Sequence, residues 1–195
     1  MDTSSRSLAL GVFCGIANGP SAAYAETAAA LGVELATRGH SLVYGAGGIG
    51  LMGAVANGVA SAGGAITGVI PRFLRERETG DHLPPQEIVL TEDLLERKRV
   101  MIERSDAFIA LPGGYGTLDE VVEVISMAAL GADVGPVVLV DVNDDWRTFR
   151  VLVDDLHARG FTRRNDLYHV VGSVSEALDL VQRELAPAEL TSTAS

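Results

Sequence analysis

The chain has 195 residues, 26 acidic against 15 basic, a formal net charge of -11, and 47% hydrophobic and 21% charged residues. That composition excludes a disordered or fibrous polymer, and the length suits one domain rather than two. The excess negative charge repels a nucleic acid at long range, yet a small phosphorylated ligand can still be held by local amides and a single arginine.

Cys14 is the only cysteine, which rules out an intramolecular disulfide and fits a reducing cytoplasm. Arg6, the apolar run 8–17 and the small residues at 22–25 imitate a short signal peptide. Gly11 and Gly15 interrupt that run, and an opening core strand accounts for it better. No apolar stretch reaches the roughly 18 residues that span a bilayer, so a soluble protein with no membrane partner is expected.

In chain order the pattern reads strand 8–14, helix 24–38, strand 41–44, helix 51–62, strand 65–70, strand 88–90, helix 94–104, strand 107–111, helix 117–130, strand 137–140, helix 147–159, strand 168–171 and helix 174–184. Most strands are apolar on both faces, as a buried parallel sheet requires, and the helices repeat apolar residues every three or four positions. This alternation predicts one α/β domain over residues 1–187, a doubly wound, Rossmann-like fold whose mostly parallel sheet is covered by helices on both faces. Segment 71–85, with three prolines and the cluster Arg75, Glu76, Arg77, Glu78, is expected to form a mobile loop or short helix near a site mouth. The small, polar residues 188–195 are expected to be a disordered tail.

Three strand ends run into glycine turns: 14–19, the string YGAGGIGLMG at 44–53, and PGGYGTLDE at 112–120. In an open parallel sheet that is the edge where ligands bind, and glycine lets a ligand approach backbone amides. Gly45, Gly47 and Gly50 satisfy the dinucleotide spacing G-x-G-x-x-G. The next strand nevertheless ends in Pro71 and Arg72, where a ribose-binding acid belongs, and the fingerprint follows the second strand rather than the first. Arg72 could meet an NADP phosphate, which keeps an NADP oxidoreductase as a distant reading. The loop at Gly113 is no Walker A, since no Lys-Ser or Lys-Thr pair follows it. Gly113, Gly114, Gly116 and the Thr117 hydroxyl at a helix start instead describe a monophosphate seat. Glu120, three residues after Thr117, reads either as the acidic member of a capping box or as a carboxylate about one helical turn from a bound phosphate.

These residues resemble the LOG (Lonely Guy) family of cytokinin-activating phosphoribohydrolases, which also carries the label lysine decarboxylase. The resemblance covers most of the chain and rests on VFCG at 12–15, YGAGGIGLMG at 44–53, GVIP at 68–71, ERK at 96–98 and SDAFIALPGGYGTLDE at 105–120. It implies release of a free base and ribose 5-phosphate from a nucleoside 5′-monophosphate, with Arg97 and Glu120 as catalytic residues. The expected substrate-binding residues are Gly45, Gly47, Gly48, Met52, Gly113, Gly114, Gly116 and Thr117, together with Lys98 and Asp119. No cofactor and no metal are expected, since His40, His82, His157 and His169 are scattered singly.

Lysine decarboxylation fails a count: Lys98 is the only lysine, and between Arg97 and Arg99 it reads as a solvated cation rather than a Schiff-base amine. Cleavage of an N-glycosidic bond passes through an oxocarbenium-like sugar, so a carboxylate such as Glu120 should lie beside the anomeric carbon and activate water. Arg97 is never a proton donor, and its tasks are to orient or ionise Glu120 or to hold ribose and phosphate. Asp119 could protonate the leaving base only if buried; water is the simpler donor.

Departures from the family pattern occur at Ile16 and Ala17, at Leu94 and Leu95 before ERK, and at 125–131 after Glu120. They suggest altered walls around the base, with phosphate and ribose chemistry kept. The rival class is a non-catalytic nucleotide or molybdenum-cofactor carrier, which shares the PGGxGT loop but has no need of the Arg97 and Glu120 pair. The apolar residues around much of helix 117–130 predict a homodimer or higher homo-oligomer.

Overall fold

Alternate residues of the strands go to opposite faces, and each face finds its own helices. The computed structural model of the chain describes residues 6–75 and 83–186. Its strands are β1 (Ala9–Phe13), β2 (Ser41–Tyr44), β3 (Ile66–Pro71), β4 (Glu87–Thr91), β5 (Ala107–Ala110), β6 (Val137–Val140) and β7 (His169–Val171). They form one sheet in the order β4-β3-β2-β1-β5-β6-β7, parallel at every pairing. The chain steps outward from β1 to β4, then returns to lay β5 against the other side of β1, which makes β1 and β5 the topological switch point.

The helices are α1 (Ala22–Thr37), α2 (Gly50–Ser61), α3 (Leu94–Glu103), α4 (Tyr115–Ala129), α5 (Arg147–Ala158) and α6 (Val174–Glu184). Leu10, Val12, Leu42, Ile109 and Val138 pack with α1, α2 and α6 in one buried cluster. Phe13, Val43, Val69, Phe108 and Leu139 pack with Met101 of α3, Val121 and Val124 of α4, and Trp146 in the other. The doubly wound fold and its parallel sheet are therefore as the sequence pattern predicts. Segment 71–85 opens with the last residue of β3 and a 3-10 turn at Arg72–Leu74, and the part of it at 76–82, on which the expected mobility also falls, lies outside the described residues. The expected tail 188–195 also lies outside them.

Two glycine features position the site. Gly32 and Gly58 bring α1 and α2 into backbone contact, because a Cβ on either would strike a carbonyl of the other helix. Gly11, in the middle of β1, makes room for the Phe108 ring, which stacks on Phe13 at 5.4 Å between centroids. Asp93 caps α3 by accepting a hydrogen bond from the Glu96 amide at 2.8 Å, fixing the start of the helix one turn before Arg97.

Candidate active site

The loops after β1 and β5 are tied together by the Gly15 amide, which donates to the Pro112 carbonyl at 3.2 Å. Beside them the carboxyl ends of the strands enclose a cleft of about 260 Å³, lined by Cys14, Gly15, Ile16, Met52, Arg97, Gly114, Tyr115, Gly116, Thr117 and Glu120. Of the residues expected from the sequence, Arg97, Glu120, Gly114, Gly116, Thr117 and Met52 thus converge. Gly113 lines the adjoining cavity of about 320 Å³, which shares Gly15, Ile16 and Gly114 with the cleft.

The helix after β5 starts earlier than its pattern suggests. Gly114 is its N-cap and makes no side-chain capping bond, so Thr117 is the third helical residue and not a cap. The capping-box reading of Glu120 fails for that reason: Glu120 lies in the second turn, buried against the cleft. Gly113 is held by packing, since a Cβ there would strike the Thr117 hydroxyl and the Gly15 amide. Gly114 and Gly116 have no such reason. No heavy atom lies within 4 Å of where their Cβ atoms would be, and neither has a positive φ. Space is kept open where the first-turn amides of α4 emerge, a positive end suited to an anion.

The turn after β2 behaves in the opposite way. The Gly15 carbonyl accepts from the Leu51 and Met52 amides at 3.1 and 3.3 Å, occupying donors of the first turn of α2. Gly50, at φ 61°, sits on the Ile16 carbonyl, Gly47 on the Met52 sulfur, and Gly53 on the Gly48 carbonyl. Gly45 is glycine because the Arg97 guanidinium fills the space of its missing side chain. The G-x-G-x-x-G spacing here serves contacts within the protein, and a dinucleotide pyrophosphate would meet amides already bonded. Arg72 is paired with Glu92 at 3.1 Å on the surface.

Arg97 is buried. Its Nε donates to the Val69 carbonyl at 3.1 Å and its Nη2 to the Gly45 carbonyl at 2.7 Å, so the ends of β3 and β2 fix the plane of the guanidinium in the cleft wall. Cys14 adjoins Glu120: burial first, and the Glu120 charge second, hold its thiol far above the usual range, so it stays S–H.

Lys98 and Asp119 are not in the cleft. The Lys98 ammonium reaches from α3 to Asp119 at 3.1 Å and Glu123 at 2.6 Å on α4. Only 13% of its side chain is exposed, which corrects the expectation of a solvated cation. The Glu123 bond, followed by Asp119, raises its pKa above the ordinary value despite burial. Asp119, with 59% of its side chain exposed, lacks the burial that a proton donor to the base would need. The departures on α4 also face elsewhere: Ile125, Met127 and Ala128 pack against the α3–α4 core cluster, leaving Ile16 as the substituted residue that lines the cleft. Sequence reasoning missed Tyr115 at the cleft lip and the Tyr24 hydroxyl bond to Asp145 (2.8 Å) across the switch point. No motif marks that pair, because its members are far apart in the chain. Among the described residues no three His, Cys, Asp or Glu side chains come together as a metal site, and no helix is long and apolar enough to cross a membrane.

Fold and cleft together define a doubly wound α/β protein with an uncapped helix start and a buried Glu and Arg in one cleft at its switch point. Cytokinin riboside 5′-monophosphate phosphoribohydrolase LOG5 of Arabidopsis thaliana is 43% identical over 173 residues, 88% of this chain and 75% of that protein. The rice enzyme of the same name, LOG of Oryza sativa subsp. japonica, is 44% identical over 171 residues, 87% of this chain and 69% of that one. The chain belongs to this LOG family. The family model described as "Possible lysine decarboxylase" matches residues 52–183. Among solved structures, the molybdenum cofactor binding protein of Rippkaea orientalis matches with a TM-score of 0.69 at 22% identity, over 91% of this chain and 97% of that one. The molybdenum cofactor carrier protein MCP of Chlamydomonas reinhardtii gives 0.69 at 24%, over 93% and 100%. At those identities the likeness is one of fold.

Proposed function

We propose that this chain hydrolyses the N-glycosidic bond of a nucleoside 5′-monophosphate to free base and ribose 5-phosphate, with cytokinin riboside 5′-monophosphates, the substrates named for its relatives, and AMP-like nucleotides as candidates. One observation carries the reading: the uncapped amides of α4, fronted by Gly114 and Gly116, open into the same cleft as buried Glu120 and Arg97. The phosphate sits on those amides and the Thr117 hydroxyl, which places the sugar against the second turn of α4. As the bond between C1′ and the base nitrogen breaks, the base leaves with the electron pair. The Glu120 carboxylate faces the positive charge on the sugar and takes a proton from the water that adds to C1′. Solvent water protonates the base. Arg97, in the wall of the same cleft, anchors the substrate's polar groups.

The carrier reading is weaker because holding a nucleotide requires the amides of α4 but not a buried carboxylate one turn beyond them. Leu118 and Val122 on α4, Leu94 and Leu95 on α3, and Leu152 on α5 are exposed, which supports a homodimer or higher homo-oligomer through this side. The buried, un-ionised Cys14 thiol is compatible with a reducing cytoplasm as the working compartment. The test is incubation with adenosine, cytidine, guanosine and uridine monophosphates and prenylated adenosine monophosphate. Free base and ribose 5-phosphate in equal amounts are expected from at least one of them. Saturable binding with no product from any of them would favour the carrier.

A further inference from the structure

Arg97 and Glu120 come from two different helices, and something must set how those helices stand relative to each other. Their sequence neighbours bridge the two helices. On α3, Lys98 follows Arg97 by one position, about 100° around the helix, so Arg97 enters the cleft while Lys98 points sideways toward α4. On α4, Asp119 and Glu123 are four apart and therefore share one side, next to Glu120. The Lys98 ammonium bridges both carboxylates, at 3.1 and 2.6 Å. Its stem is largely buried, so the bridge is shielded more than an ordinary surface pair.

We propose that Lys98 is a positioning residue: with Asp119 and Glu123 it forms a strap between α3 and α4 that sets the register of Arg97 against Glu120, and it does not touch the substrate. The inference rests on the hydrolase reading above and assigns Lys98 a part in it that the RK motif alone does not show. A strap of this kind acts on the geometry of the reacting pair. Its loss therefore lowers turnover more than it weakens nucleotide binding, which rests on the amides of α4.

The experiment compares Lys98→Met, Lys98→Arg, Glu123→Gln, the paired Asp119→Asn/Glu123→Gln variant, and Lys98→Met combined with that pair. For Lys98→Met, kcat is expected to fall about tenfold or more with KM within about threefold, and Lys98→Arg to restore most of it. The triple variant should be no worse than Lys98→Met alone, since all of them remove one strap. Arg99→Met, which breaks an ion pair with Glu103 inside α3, should leave kcat unchanged. A rise in KM that disappears with unphosphorylated nucleoside, or additive losses in the triple variant, would overturn the proposal. A second readout is independent of turnover. Lys98 is the only lysine, so lysine-labelled protein gives a single side-chain ammonium signal in NMR. That signal should move in Glu123→Gln and stay in place on addition of ribose 5-phosphate; a large ligand-induced shift would mean direct contact and end the strap. Absence of any hydrolysis in the wild type would refute the hydrolase reading instead, and leaves the NMR test of the strap standing.

Discussion

Gly116 occupies a helical position in α4 with an ordinary φ and open space where a Cβ would go. For the fold alone, alanine is the better residue there by about 0.5–1 kcal/mol. Gly116→Ala should therefore hold or raise the melting temperature while weakening substrate binding, because the methyl enters the anion seat. Thermal unfolding and KM measured on the same preparation check both signs; unchanged KM would remove the phosphate from that seat. Glu120→Gln keeps the shape of the cleft wall and loses its charge. Hydrolysis should fall by orders of magnitude while nucleotide binding stays within about tenfold, and single-turnover kinetics with calorimetry separate the two. Arg97→Lys should be severely impaired as well, since one ammonium nitrogen cannot span the Val69 and Gly45 carbonyls as Nε and Nη2 do, nor present a planar group in the wall.

His40 shows how pH enters at the same scale. Its Nδ1 accepts from the Leu8 amide at 3.2 Å, which requires a neutral ring at that nitrogen. Burial lowers its pKa first and Arg38 adds to this, with Asp106 opposing. The unfolded chain therefore takes up the proton before the folded one as pH falls. Stability contributed by the neutral ring is complete above the ordinary histidine value of about 6.5 and is lost as pH drops through it toward the lower folded value. Urea unfolding at neutral and mildly acidic pH should show a decline that is smaller in His40→Asn.

At the scale of elements, the α1–α2 contact is decided by glycine for a reason opposite to that at Gly116. A Cβ at Gly58 would strike the Ala29 carbonyl, and backbone cannot step aside as a flexible side chain can. Gly58→Ala should cost about 1–3 kcal/mol despite the better helix propensity of alanine, lowering the melting temperature by several degrees. The opposite signs expected for Gly58→Ala and Gly116→Ala distinguish a packing glycine from a ligand glycine. The same contrast separates α2 from α4. Both follow glycine turns at the carboxyl edge of the sheet and neither has a side-chain cap, but the Gly15 carbonyl takes the Leu51 and Met52 amides of α2, whereas the first turn of α4 opens on the cleft.

For the molecule as a whole, the exposed apolar residues of α3, α4 and α5 lie on the side of the sheet that carries Arg97 and Glu120. A second copy covering Leu118 and Val122 is expected to make the protein dimeric at micromolar concentration. Light scattering should then give twice the mass of a 20.4 kDa chain, and Val122→Asp should shift it toward the monomer. The sequence by itself determined the order of strands and helices, the parallel sheet and the three glycine turns, because those follow from periodicity and backbone preference within a few neighbouring residues. It also marked Arg97 and Glu120, through motifs short enough to read along the chain. Only the tertiary structure decided which glycines pack against other atoms and which stand over open space, why Gly45 must make way for Arg97, and that Lys98 and Asp119 pair with each other outside the cleft. Each of these depends on atoms brought together from distant parts of the chain, and local pattern carries no record of which distant atom will fill a given space.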